Sequence, residues 1–313
     1  MSTLTGLIGG SGGGGGGIDN ALLPAFPENL AAANSSYVQN FPHAADNSAN
    51  SKLPGHNSNG DYYQWDNRSG VTTAHSLQYY NNAGSLQWTI NETNINPAAD
   101  RIVSIFKSGS TIYLLAATTG TTAAWIATAN ESGTVLTSQS VTMPANIDES
   151  AADVMLAKPT GSSNVILAIV GRWLVEINPS TGAIVNESSS TNIRPADVQY
   201  PSFITPDNRC LSMANGTTLG GIFNFLTIAA SSTNVRPASY LYELPDSYFN
   251  LVISPYANAT KFMEWGNFII CIGIETAGVT GYRFTPRALY NKADFETWAE
   301  SFMDAVGATL TAW

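Results

Sequence analysis

The stretch that decides the fold runs from Val165 to Ser188 and reads VILAIVGRWLVEINPSTGAIVNES. Its first six residues are all apolar, which is typical of a strand buried on both faces. Residues 173–177 then alternate, with apolar side chains on one face and Leu174 and Glu176 on the other. Asn-Pro-Ser-Thr-Gly at 178–182 is turn chemistry, because Pro fixes φ and Gly tolerates a positive φ. The stretch therefore predicts strand, tight turn, strand, five-residue turn and strand.

This pattern resembles one blade of the β-propellers built from quinoprotein-type repeats, whose inner strands end in an Asn/Asp-Pro-x-Thr-Gly turn. The matching turn is Asn178 to Gly182, and the resemblance covers the single blade at 165–188. It implies an architecture and carries no chemistry.

A second pattern repeats along the chain. Thr-Asn-Ile-Asn-Pro-Ala at 93–98 returns in similar form at 191–196 and 233–238, with partial copies at 142–145 and 285–288. The prolines of these copies, at 97, 144, 195, 237 and 286, are separated by 47, 51, 42 and 49 residues. Propeller repeats of the WD40 and kelch types have periods of roughly 40 to 50 residues. The repeats predict four sequential sheets across about 98–286, each beginning shortly after a Pro-Ala step, with Pro97, Pro144, Pro195 and Pro237 at equivalent positions.

Short β-like runs joined by Gly-containing turns fill each unit, most clearly at 102–137. We therefore predict an all-β fold, a small β-propeller of about five four-stranded blades across 51–290. Two β-sandwich modules are the alternative. Residues 291–313 are predicted to form a C-terminal helix packed on this domain, because Phe295, Trp298 and Phe302 recur at helical spacing.

Residues 1–50 are predicted to be an extended Gly-rich arm. Six consecutive glycines at 12–17 cannot build a core and form the most flexible linker available. One interpretation is a disordered tail; the other is an assembly arm that becomes ordered against a partner. The second interpretation is favoured by apolar anchors on both sides of the glycines: Leu4, Leu7, Ile8, Leu22, Leu23 and Phe26.

The composition narrows the function classes. Of the 313 residues 12% are charged, the net charge is -10, and the 13 basic residues form no cluster. Nucleic acid and anionic membrane surfaces are therefore not expected as partners. We expect no membrane insertion, because no segment approaches the roughly 18 apolar residues of a membrane span. The N-terminus lacks the basic region of a secretion signal.

Candidate chemical groups are few. Asp100, Asp153 and Asp197 recur near the starts of three units and could line one ring, as glycosidase carboxylates would, or cap turns between blades. The side-chain oxygens of residues 57–61 could suit calcium, but the loop lacks the EF-hand spacing, and a plain turn is favoured. We expect no catalytic residues, no metal and no cofactor. Cys210 and Cys271 are predicted to be buried, reduced and in separate units.

Aromatic residues in polar runs, such as 61–65 and 78–81, could stack on sugar rings or belong to the core. The Gly-rich arm, the low charge and the missing secretion signal look like bacteriophage virion structural proteins. That resemblance implies a non-enzymatic tail or capsid appendage component, present in multiple copies and assembled in the host cytoplasm. Its arm would bind other virion proteins, and its β domain would face a host glycan or receptor. A carbohydrate-binding or carbohydrate-active extracellular propeller is the alternative.

Overall fold

A computed structural model describes residues 24–25, 27–30, 52–57, 59–67, 75–147, 154–158, 162–169, 173–189, 198–204, 206, 209–214, 222–227, 242–243, 260–276 and 282–310. The described strands form five antiparallel meanders, each running in chain order. Sheet 1 contains β1 (Lys52–Pro54), β2 (Tyr62–Asn67), β3 (His75–Tyr80) and β4 (Leu86–Asn91). Sheet 2 contains β5 (Arg101–Ser108), β6 (Thr111–Ala117), β7 (Thr121–Asn130) and β8 (Val135–Ile147). A short helix, α1 (Glu92–Ile95), joins these two sheets.

The later sheets follow the same plan. Sheet 3 contains β9 (Val154–Ala157), β10 (Val165–Ile169), β11 (Trp173–Ile177) and β12 (Ile184–Ser189). Sheet 4 contains β13 (Val198–Ile204), β14 (Arg209–Ala214), β15 (Ile222–Thr227) and β16 (Tyr242–Glu243). Sheet 5 has three described strands, β17 (Thr260–Trp265), β18 (Phe268–Thr276) and β19 (Tyr282–Asn291), and helix α2 (Lys292–Leu310) follows it.

The chain is thus mostly β, and its sheets are arranged in a propeller-like manner. The first strands of sheets 2 to 5 contact one another in sequence: β5 contacts β9, β9 contacts β13, β13 contacts β17, and β17 contacts β5. Sheets 2 and 5 are also joined by one parallel hydrogen-bonded pair, Trp265 with Lys107. Among the described strands no other pair bridges two meanders, so the hydrogen-bonded sheet is not closed. Sheet 1 contacts both β5 and β19.

The strand pattern predicted for 165–188 is confirmed. Strands β10, β11 and β12 pair antiparallel in sequence, and Val175 and Ile177 are buried on one face of β11. The turn is closed by the Asn178 N–H, which donates to Ala183 O at 2.9 Å, and Gly182 has φ of 72°. An ideal Cβ built on Gly182 would lie 2.3 Å from Ser140 O of β8. A glycine is therefore required both by the turn and by the neighbouring sheet.

The prediction that the repeated prolines occupy equivalent positions is wrong. Pro97 lies between α1 and β5, whereas Pro144 lies inside β8 and Pro286 inside β19. Both strands lie at the edge of a sheet, where proline is tolerated because its missing N–H leaves no internal hydrogen bond unmade. Pro195 and Pro237 lie outside the described residues. The structural repeat is therefore the meander, and the Pro-Ala steps do not share one place in it.

A buried junction joins sheets 1, 2 and 5. The Gly266 N–H donates to Lys107 O at 2.7 Å, and the indole Nε1 of Trp265 donates to Pro54 O at 2.8 Å. Lys107 Nζ lies 2.8 Å from Glu131 Oε1, and the Lys107 side chain is almost entirely shielded from water. Sheet 1 thus covers the place where sheets 2 and 5 meet.

Helix α2 confirms the periodicity predicted for the C-terminus. Phe295, Trp298 and Phe302 are buried on one face, and Phe295 packs against Phe262 with ring centroids 4.8 Å apart. Lys292 opens the helix, and its Nζ lies 2.6 Å from the buried carboxylate of Glu264. Burial raises the pKa of Glu264, an effect that the Lys292 ammonium opposes.

A short described part of the N-terminal region contacts sheet 5. The Leu30 N–H donates to Leu289 O at 2.8 Å, and the Leu289 N–H donates to Asn29 Oδ1 at 3.2 Å. The Leu30 side chain is half-buried against the core. The predicted boundary at residue 50 remains a prediction, but residues 29–30 pack on the β domain.

Candidate binding face

Most residues of the predicted assembly arm lie outside the described part of the chain. This holds for all six apolar anchors: Leu4, Leu7, Ile8, Leu22, Leu23 and Phe26. Their role as an assembly element therefore remains a prediction.

Asp100 caps a turn of its own sheet. Its carboxylate accepts a hydrogen bond from the Thr119 N–H at 2.9 Å and another from the Thr119 hydroxyl at 3.0 Å. Arg101 Nε lies 3.4 Å from the same carboxylate. Asp100 therefore caps the turn between β6 and β7, within one sheet, and not a turn between blades as one of the two interpretations expected. Asp153 and Asp197 lie outside the described residues.

The loop at 57–61 is a turn whose carboxylate is occupied by donors. Asp61 accepts hydrogen bonds from Tyr79 OH at 2.7 Å, Asn57 Nδ2 at 2.9 Å and the Asn82 N–H at 2.9 Å. Burial alone would raise the pKa of Asp61, but these hydrogen bonds outweigh it and hold the pKa below the ordinary value. Because the carboxylate oxygens of Asp61 accept these hydrogen bonds, the loop has the structure of a turn and not of a cation site. In the described chain no group of three or more His, Cys, Asp or Glu side chains could hold a metal ion.

His56 extends this network into an aromatic cluster on the inner face of sheet 1. Its Nδ1 lies 2.8 Å from Tyr63 OH, and its ring stacks on Tyr79 with centroids 4.6 Å apart. Tyr79 in turn stacks on Trp88, whose Nε1 donates to Glu131 O at 3.1 Å. Burial lowers the pKa of His56 and raises those of Tyr63 and Tyr79. These aromatic residues belong to the core, as one of the two interpretations predicted.

The opposite face of sheet 1 has a different character. Tyr62 and Tyr80 are paired across β2 and β3, and their rings stack 10° from parallel with centroids 5.1 Å apart. Gln64 and Gln78 form the next pair of side chains on that face. Tyr80 OH donates to Gln78 Oε1 at 2.7 Å, and all four side chains are half-buried. We call these four residues the tyrosine–glutamine face.

The tyrosine–glutamine face combines two kinds of group that carbohydrate binding requires. Aromatic rings cover the apolar C–H face of a sugar, and amides both donate hydrogen bonds to hydroxyl groups and accept them. The four side chains carry no charge at neutral pH. The alternation of polar and aromatic residues was visible in the sequence, but which rings faced outward depended on strand register, which the sequence did not reveal.

Cys210 lies in β14 and Cys271 in β18, strands of two different sheets. The prediction of separate units is therefore confirmed. The side chains themselves lie outside the described set, so burial and reduction remain predictions.

Comparison with known proteins identifies no family. No family model matches the chain, and no curated protein matches it. Solved structures are similar to this chain at low sequence identity. BamB from Moraxella catarrhalis has a TM-score of 0.36 and 11% identity, and the alignment covers 71% of this chain and 56% of that chain. Hydrazine synthase from Kuenenia stuttgartiensis has a TM-score of 0.38 and 8% identity, and the alignment covers 70% of this chain and 54% of that chain. A third is the Pan2 WD40 domain from Neurospora crassa, with a TM-score of 0.40 and 9% identity over 78% of this chain and 63% of that chain. BamB and the WD40 domain are β-propeller proteins. The alignments span between half and two thirds of each of these chains.

Among the helices that the structure describes, none is long and apolar enough to cross a membrane.

Proposed function

We propose that this chain is a non-enzymatic virion structural protein, a component of a phage tail or capsid appendage. In this proposal the N-terminal arm binds other virion proteins, several copies assemble together, and the β domain faces outward. The tyrosine–glutamine face of sheet 1 then contacts a glycan on the host surface. The fold in this proposal is a small propeller whose ring is formed by sheets 2 to 5, since their first strands contact one another in sequence. It has one blade fewer than the five that the sequence analysis predicted, because sheet 1 packs on the junction between sheets 2 and 5.

The glycan part of the proposal is carried by one observation, the stacked pair of Tyr62 and Tyr80 beside Gln64 and Gln78. A face built from parallel rings and amides suits a neutral sugar, because stacking buries the C–H groups while the amides satisfy the hydroxyl groups. The non-enzymatic part of the proposal is supported by Asp100, the one carboxylate of the glycosidase interpretation that the structure describes, because donors of the β6–β7 turn engage it.

The glycan part is tested by binding to a glycan array, followed by titration of the best ligand. We expect Tyr62→Leu and Tyr80→Leu each to weaken binding about tenfold, roughly 1.4 kcal/mol. Leucine keeps an apolar side chain and removes the flat ring. Leu136→Ala is the control, because Leu136 is 59% exposed on another sheet. Equal binding by all four proteins would refute a role for this face.

The assembly part is tested by deleting residues 2–26 and measuring folding and incorporation into particles separately. We expect a folded β domain that no longer enters particles. Normal incorporation of the shortened chain would refute the assembly role of the arm.

An exported carbohydrate-binding propeller is the second candidate, and the same tyrosine–glutamine face favours it. Recovery of the protein from the culture medium of cells that carry no virus, together with glycan binding, would favour this candidate over the virion component.

A further inference from the structure

Among the described strands, β19 is the outer strand of sheet 5. Sheets 1 to 4 each have four described strands, whereas sheet 5 has three. At an open edge the backbone N–H and C=O groups face outward, and buried ones need partners. The buried backbone N–H and C=O groups on the outer edge of β19 therefore need hydrogen-bond partners.

At Leu289 the N-terminal segment supplies these partners. Its side chain is fully buried, and its residue pairs with Ile270 of β18 on one side. Both backbone groups of Leu289 are bonded to the N-terminal segment: its C=O accepts from the Leu30 N–H, and its N–H donates to Asn29 Oδ1. A neighbouring strand would make the same two hydrogen bonds, with a backbone carbonyl in place of the asparagine oxygen.

The neighbouring side chains agree with this role. Leu30 is half-buried against the core, whereas Glu28 is exposed. Pro27 has no N–H to offer a strand, so the pairing begins after it. Helix α2 starts three residues beyond Leu289 and packs on the same sheet.

We propose that residues 29–30 take the place of a fourth strand on sheet 5 and thereby fix the base of the N-terminal arm to β19. The occupant of this edge is the chain's own N-terminal segment. The assembly element of the proposed function is then residues 1–26, and its attachment to the β domain runs through β19. This inference rests on the proposed function only in treating residues 1–26 as the assembly element.

Hydrogen exchange of the full-length purified chain tests the proposal. In the variant Asn29→Ala/Leu30→Ser we expect the Leu289 amide to exchange about tenfold faster or more, because one hydrogen bond and the packing of Leu30 are lost. Exchange in sheet 3 is expected to stay the same. Glu28→Gln is the control, with exchange as in the unaltered chain. Unchanged exchange at Leu289 in the double variant would overturn the proposal.

Two further measurements separate the alternatives. Dilution of the unaltered protein should leave exchange at Leu289 unchanged; exchange that accelerates on dilution would show that a second copy supplies the segment, and would overturn the proposal. Deleting residues 2–26 should leave the unfolding midpoint in urea unchanged, whereas deleting 2–30 should lower it. Equal midpoints would also overturn it. None of these results depends on particle assembly, so a failure of the virion proposal is seen separately, as normal particles formed by the 2–26 deletion.

Discussion

Substituting Gly182 by alanine tests how the β11–β12 turn is held against sheet 2. Gly182 has φ of 72°, and a Cβ at this position would lie 2.3 Å from Ser140 O and 3.1 Å from Gln139 Cβ. Real Cβ atoms do not approach a backbone oxygen so closely, so either the turn or β8 must move. Gly120 offers a matched comparison, because it has φ of 71° and a Cβ there would meet nothing within 4 Å.

The two variants separate the cost of the backbone conformation from the cost of the contact. A left-handed conformation costs an alanine about 1–2 kcal/mol, which applies to both positions. Overpacking at a contact that cannot relax costs about 1–3 kcal/mol more, and it applies to Gly182→Ala alone. We therefore expect the free energy of unfolding to fall by about 1–2 kcal/mol in Gly120→Ala and by about 2–5 kcal/mol in Gly182→Ala.

Equilibrium unfolding in urea, followed by circular dichroism and by tryptophan fluorescence, measures both losses. Equal losses in the two variants would mean that the turn does not pack on β8 in solution. The packing of sheet 3 on sheet 2 through this turn would then be refuted, although the turn itself could still form.

The remaining predictions concern the junction and the aromatic cluster. Trp265→Phe should lower the free energy of unfolding by about 1–3 kcal/mol, because the buried Pro54 carbonyl loses its donor; urea unfolding measures this. Lys292→Met should cost about 3–5 kcal/mol at neutral pH by leaving the Glu264 carboxylate unpaired. Burial raises the pKa of Glu264 and Lys292 opposes that rise, so losing Lys292 should raise the pKa further. A raised carboxyl pKa in the folded state makes stability fall as the pH rises, and Lys292→Met should therefore be less stable at pH 8 than at pH 5. Burial lowers the pKa of His56, so the stability that its neutral form contributes should be lost as the pH falls below 6.5. His56→Gln should therefore reduce the difference in the free energy of unfolding between pH 7.5 and pH 5.5.

Each of these predictions has a control or an outcome that would contradict it. Trp125→Phe alters a half-buried tryptophan on β7 and should cost less than Trp265→Phe. Lys292→Met combined with Glu264→Gln should recover much of the loss, because no unpaired charge is left buried. A double variant as unstable as Lys292→Met would contradict the assignment. An unchanged pH profile in His56→Gln would show that His56 does not titrate with folding.

The positions of the strands could be predicted from the sequence because they depend on local patterns. Alternation and apolar runs marked β6, β10, β11 and β18, and the Asn178 to Gly182 turn formed where its residue types indicated. The helical spacing of Phe295, Trp298 and Phe302 likewise identified α2. The repeated Pro-Ala steps gave a wrong prediction, because Pro97 lies in the loop before β5 whereas Pro144, in a similar short sequence, lies inside β8.

The candidate binding face could be predicted only in part. The sequence contained the aromatic and amide residues, but their division between a buried cluster and an outer face follows from the pairing of β2 with β3. A shift of one residue would have exchanged Tyr62 with Tyr63, because side chains alternate between faces along a strand.

By itself, the sequence determined an all-β chain of short antiparallel strands, a C-terminal amphipathic helix and a glycine-rich N-terminal region, since each depends on residues near one another in the chain. The tertiary structure decided how the sheets meet. The bond from Trp265 to Pro54 joins residues 211 positions apart, and the bond from Leu289 to Asn29 joins residues 260 positions apart. No local pattern encodes such partners, because one partner in each bond, Pro54 O or the Leu289 N–H, is a backbone group of a kind found in every strand. Burial of the surrounding side chains selects which of these groups meet.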